Sequence, residues 1–142
     1  MEYKKILVPI DGSEMSTQAL LQAVYVAQHC GASLGVLHVV DLNKEVSAFE
    51  RVSLSGYVPS ELKETAYQLL AEIMHEIPRE IEAKALVKMG DPGEVIVDTC
   101  MEGDYDLIIM GSRGFGTFRQ MVMGSVSQSV LHHAPCSVLI AR

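Results

Sequence analysis

Five short apolar runs mark the chain, and between them the apolar positions change to helical spacing. The first, Ile6-Leu7-Val8-Pro9-Ile10, is continuous and ends at Asp11-Gly12-Ser13, as a strand buried on both faces would be. Ser13 is placed to cap a helix from about Glu14 to His29, whose stripe is Ala19, Leu20, Ala23, Val24, Ala27 and Cys30. Gly31 follows where a left-handed terminal residue is wanted. Ser33 to Val40 reads as a second strand, and residues 41 to 58 carry no clear period. Ser60 can cap a helix to about Glu76, broken at Pro78, and Ile81 to Met89 alternates roughly as a third strand. Asp91-Pro92-Gly93-Glu94 combines an Asp cap, proline at the first helical position and glutamate at the third. That helix continues through Val95, Ile96 and Thr99 to Met101, and Leu107-Ile108-Ile109-Met110 is a fourth strand. Gly111 to Met123 is irregular. Gly124-Ser125 opens a last helix that stops near Pro135, and Ser137-Val138-Leu139-Ile140-Ala141 is the fifth strand.

Strands that alternate with helices pair in parallel through right-handed crossovers. The expected architecture is therefore α/β: one open, doubly wound, five-stranded parallel sheet with helices on both faces, as a single domain over residues 1–142. The length of 142 residues suits one domain, and at 49% apolar residues a core can form without disulfides or metals. The net charge of −7, from 18 acidic against 11 basic side chains, argues against nucleic acid, which needs a positive field. It leaves room for one small anion, because backbone N–H groups hold phosphate without net positive charge. Cys30, Cys100 and Cys136 are odd in number, far apart and without a CxxC pair. They read as reduced, small buried hydrophobes. With no apolar stretch near the ~20 residues of a membrane span and no signal-peptide core after Met1-Glu2-Tyr3-Lys4-Lys5, the expected location is the cytoplasm.

In an open α/β sheet, ligands bind beyond the carboxyl ends of the strands, where the strand order reverses. Three segments fall there: Pro9-Ile10-Asp11-Gly12-Ser13, Val39-Val40-Asp41 and Met110-Gly111-Ser112-Arg113-Gly114. Gly111 and Gly114 permit positive φ and close approach of backbone to a ligand. Gly124 and Ser125 open a helix, whose unpaired N–H groups and positive dipole end favour phosphate, and Ser125 and Ser127 add hydroxyls. A P-loop is excluded because GxxxxGK[ST] does not occur, and the first strand does not lead into GxGxxG.

The spacing Gly111-x-x-Gly114, nine residues, Gly124-Ser125 resembles the ATP-binding signature of the universal stress protein family. Lys5 to Ser13, Gly90-Asp91-Pro92, Gly124-Ser125-Val126-Ser127 and Ala134-Pro135-Cys136-Ser137-Val138-Leu139-Ile140 also look like that family, in its order. The resemblance implies an adenine nucleotide α-hydrolase-like, Rossmann-like sheet that holds ATP. It puts Asp11 at the ribose or adenine side, with Pro9 and Ile10 lining it and the backbone of Val40 offered to adenine. Met110 and Gly111 would border the ribose. Gly114, Gly124, Ser125 and Val126 would hold the phosphates with Ser127 nearby, and Mg²⁺ or Mn²⁺ would ride with the nucleotide rather than on a protein-built site.

Other assignments stay open at this level. Asp11-Gly12-Ser13 can be a turn and cap as well as a site, and Arg113 a phosphate clamp or a solvated charge. His132 and His133 point about 100° apart on a helix and make a poor metal pair, better explained by the helix C-terminus. The apolar fifth strand would lie at an edge and need covering. Family habit agrees with a two-fold homodimer through Ser137 to Ala141. For function, an ATP-dependent regulatory or stress-response module leads. A slow ATPase and a non-nucleotide interaction protein are the alternatives. No general base, paired carboxylate or Ser/His/Asp set lies near the phosphate segment, which weighs against an enzyme.

Overall fold

The computed structural model describes residues 2–41, 60–112 and 123–142. The elements run β1 (Lys5–Pro9), α1 (Glu14–Cys30), β2 (Ser33–Val40), α2 (Ser60–Met74), β3 (Ala83–Met89), α3 (Pro92–Glu102), β4 (Leu107–Gly111), α4 (Ser125–His133) and β5 (Ser137–Ala141). The five strands form one parallel sheet in the order β3-β2-β1-β4-β5. The chain winds outward from β1 through β2 to β3, then returns past it to β4 and β5. Right-handed crossovers accordingly put α1 and α2 on one face and α3 and α4 on the other. The expected fold class is the observed one.

The two faces carry separate cores. Ile6, Val8, Leu34, Val36 and Ile109 join Ala19, Leu20, Ala23 and Leu70 beneath α1 and α2. Leu7, Leu37, Ile108 and Met110 join Ile96, Cys100 and Val130 beneath α3 and α4. This explains the unbroken apolar runs: consecutive residues of β1 point to opposite faces, and both faces are covered.

Local signals set the helix ends. The Ser13 side chain accepts from Ser16 N–H at 3.3 Å, and Gly31 ends α1 at φ 68° with its N–H on Ala27 O. Asp91 caps α3 by accepting from Glu94 N–H at 3.1 Å, with Pro92 first in the helix. Ser60 is the first residue of α2. That helix stops at Met74 rather than Glu76, and β3 starts at Ala83 rather than Ile81. Ile81 is buried before the strand begins, so burial alone extended the sequence reading. β3 does not alternate cleanly, and among the described residues it is an edge strand paired on one side only.

Candidate functional site

The strand order reverses between β1 and β4, and there the sheet parts. β1 keeps register with β2 as far as Pro9–Leu37, and β4 with β5 as far as Gly111–Ala141. β1 and β4 are in register only at Ile6–Leu107 and Leu7–Ile108. Proline chemistry explains the early end. Alternate residues of β1 turn their backbone toward β4, as Lys5 does when its carbonyl accepts from Asp106 N–H at 2.9 Å. Pro9 falls on that side and has no N–H to give. Ile10 turns the other way and donates to Leu37 O at 2.7 Å.

The β1 lip of this crevice is Ile10, buried, and Asp11, exposed. Asp11 Oδ1 accepts from Ser13 N–H at 2.8 Å, and Gly12 takes φ 87°. The turn-and-cap role of Asp11-Gly12-Ser13 is therefore present, with the carboxylate still facing solvent. His38 braces the lip from β2: its Nδ1 lies 2.8 Å from Ile10 O. A carbonyl only accepts, so that nitrogen carries the proton. Val40 ends β2 and is buried, and its carbonyl accepts from Gly90 N–H at 3.1 Å.

The β4 lip is Met110, Gly111 and Ser112. Met110 is buried in the α3–α4 core rather than turned to the crevice. Gly111 corrects the sequence reading. Its φ is not positive, and the close approach it permits is to α1: a Cβ there would lie 2.9 Å from Met15 Cβ and 3.0 Å from the Met15 carbonyl carbon.

Ser112 is the junction of the site. Its N–H donates to Ala141 O at 3.0 Å. Its carbonyl accepts from Gly124 N–H at 2.7 Å and from Ser127 Oγ at 2.6 Å. The chain thus leaves β4 and returns to the same point to start α4. Gly124 is the N-cap at φ −67°, ψ 160°, and makes no side-chain cap hydrogen bond. Ser125 is exposed and Val126 half-buried. Ser127 is 1% exposed, and its hydroxyl also lies 3.3 Å from Gly124 O. That hydroxyl is committed within the protein, bracing the junction. Arg113 and Gly114, like most of the 41–58 connection, lie outside the described residues.

Of the residues singled out in sequence, Pro9, Ile10, Asp11, Val40, Met110, Gly111, Gly124, Ser125, Val126 and Ser127 all gather at the carboxyl edge of the sheet or at the helix end bonded to it. His38 and Met15 were missed, and Ser112 was named only as part of its segment. His38 alone left a signal, as the polar residue within an apolar strand. His132 and His133 do not converge: their rings are 6.4 Å apart and His133 Nδ1 turns to Ser129 O. Among the described residues no group of His, Cys, Asp and Glu could hold a metal ion, and no helix is long and apolar enough to cross a membrane. A cavity of about 390 Å³ runs along β3 from the amino ends of β1 and β2, against Lys5, Lys84, Lys88, Glu102 and Tyr105. Two of its lysines are already engaged: Lys5 donates to Gly103 O and sits over the Tyr105 ring, and Lys88 pairs with Glu102 at 3.2 Å.

A doubly wound parallel sheet that parts at its switch point defines an open α/β fold with helices on both faces. The chain belongs to the universal stress protein family, whose profile matches residues 2–142. Universal stress protein YxiE of Bacillus subtilis is 34% identical, over 99% of each chain. The structure of universal stress protein UspA from Lactobacillus plantarum superposes with TM-score 0.83 at 28% identity, over 100% of this chain and 99% of that one. Two more distant likenesses show the fold: a universal stress protein in complex with cAMP (TM-score 0.72, 22% identity, 100% and 98% covered); and one from Archaeoglobus fulgidus in complex with dAMP (TM-score 0.64, 23% identity, 100% of both chains).

Proposed function

We propose that the chain is an ATP-binding universal stress protein that acts as a nucleotide-dependent regulatory module. The observation that carries this reading is the Ser112 junction, which sets the uncapped N-terminus of α4 beside the split between β1 and β4. N–H groups at such an end, with the positive end of the helix dipole, suit phosphate. Asp11 stands on the opposite lip, where a ribose hydroxyl could donate to its exposed carboxylate. The sequence spacing Gly111, Gly114, Gly124-Ser125 supports the triphosphate. Relatives of the same fold in complex with cAMP and dAMP support an adenine nucleotide. Mg²⁺ or Mn²⁺ would arrive with the nucleotide and offset its charge. Calorimetric titration of nucleotide-stripped protein with Mg–ATP, ADP and AMP tests this. Binding that weakens as phosphates are removed is expected, and no heat at millimolar ATP would overturn it.

The same reading pairs two chains through β5. This strand is at the edge of the sheet and hydrogen-bonds on one side to β4, while Val138, Leu139 and Ile140 stay half-buried. A two-fold copy would complete the ladder and cover them. Light scattering should give twice the 15.5 kDa chain mass. A monomer at micromolar concentration would refute the pairing.

A further inference from the structure

Cys100 and Cys136 are 36 positions apart in sequence, yet their sulfurs lie 3.3 Å apart. All three cysteines are free, and distance in sequence does not keep this pair apart in space. Cys100 is on the last turn of α3 and Cys136 immediately precedes β5. α3 covers one face of the sheet and Cys136 lies on that same face, so the two side chains share one core. Cys30 packs in the core on the other face, with the sheet between it and the pair.

We propose that Cys100 and Cys136 form a disulfide site within the chain, closed by hydrogen peroxide. The two thiols differ in a way that orders the steps. Cys100 is 1% exposed, whereas Cys136 is partly open to solvent. Burial, with its hydrogen bond to Cys136 adding to the effect, pushes the Cys100 thiol up to about 12. Burial also raises Cys136, but the hydrogen bond from Cys100 works the other way there and favours its thiolate. Cys136 is thus the sulfur that peroxide meets first. Its thiolate attacks one peroxide oxygen: an S–O bond forms, the O–O bond breaks, and hydroxide leaves to take up a proton as water. The Cys100 sulfur then attacks the sulfenic Cys136. The S–S bond forms, the S–O bond breaks, and the Cys100 proton leaves with that oxygen as a second water. Two thiols and one peroxide give one disulfide and two waters.

The bridge would close a loop that contains β4, the Ser112–Gly124 junction and all of α4. A cross-link over that span restricts the unfolded chain, and it ties the start of β5 to α3. Because the raised thiols are poor nucleophiles at neutral pH, closure is slow and needs sustained oxidant.

The test uses the full chain, treated with hydrogen peroxide, blocked with maleimide, digested with trypsin and read by mass. The expected product joins the peptides holding Cys100 and Cys136, two hydrogens lighter than their sum, and separates on adding dithiothreitol. Cys30 should carry maleimide. The oxidised protein should also unfold several degrees above the reduced one, and Cys136→Ser should remove that difference while leaving the reduced midpoint close to its original value. Maleimide on both Cys100 and Cys136 after Cys30 has oxidised would overturn the proposal. So would a bridge that joins two chains, or Cys136 driven to sulfinic acid with Cys100 still free. The mass readout needs no variant, so a poorly folded Cys136→Ser leaves the test intact.

Discussion

Replacing Gly111 with valine is expected to lower stability by about 3 kcal/mol, the upper end of what an overpacked interior costs. The reason lies in what surrounds the missing side chain. An added Cβ would stand 2.9 Å from Met15 Cβ, 3.0 Å from the Met15 carbonyl carbon and 3.1 Å from its oxygen. Two of those three atoms are backbone in the first turn of α1, and that turn is itself fixed by the Ser13 cap. No rotamer change can clear them, so either α1 tilts away or β4 shifts. β4 is held by the ladder to β5 and by Ser112 N–H on Ala141 O. The strain therefore spreads into the crevice, and nucleotide affinity should fall along with stability. For a domain of this size the midpoint of thermal unfolding should drop by roughly 10 °C. A variant that melts within a degree or two of the parent would show that α1 and β4 are not in this contact.

Gly111 also shows how far the sequence could be read. That a glycine was needed there was legible; the reason was not. The pattern suggested conformational freedom and approach to a ligand, whereas the structure shows a helix packed against a strand end. The α1 and α3 caps were legible because each depends on residues within four positions of one another. The strand order was not, since it depends on which crossover turns back, and no local signal encodes that. Pro9 illustrates the gap between the two levels. As an isolated residue it only interrupts an apolar run. Once β4 is known to be its neighbour, it becomes the missing donor that lets the sheet part.

Ser127 and the cysteines teach the same lesson from the side of chemistry. A hydroxyl in the phosphate segment suggested a ligand contact, but it is spent on Ser112 O and Gly124 O inside the protein. What it supports is the junction, and hence the direction of α4. Cys100 and Cys136 carried no spacing signal at all. They meet because α3 and the approach to β5 cover the same face, a consequence of the topology rather than of any motif. For side chains that the topology brings together from 36 positions apart, sequence spacing is silent.

Gly124→Val, unlike Gly111→Val, should leave the fold intact while it weakens ATP at least tenfold, about 1.4 kcal/mol. Gly124 sits at φ −67°, ψ 160°, extended backbone that valine adopts without strain. Its N–H bond to Ser112 O uses the main chain and is retained. Valine is a poorer N-cap than glycine, so a stability loss of up to about 1 kcal/mol is expected and no more. The effect on binding follows from where an N-cap side chain goes. In ordinary helices it folds over the first free N–H groups, and a polar one satisfies them. An apolar branch in that place covers the donors of α4 without replacing the bonds a phosphate would take. Gly124→Ser gives the graded control, because a serine hydroxyl caps one N–H itself and leaves the others open. The expected order of affinity is glycine, then serine, then valine, read by calorimetry with Mg–ATP on variants whose unfolding midpoints are measured alongside. Equal affinity across a folded series would remove the α4 N-terminus from the site. Weakening that is the same for ATP and AMP would place Gly124 beside the nucleoside instead of the phosphates.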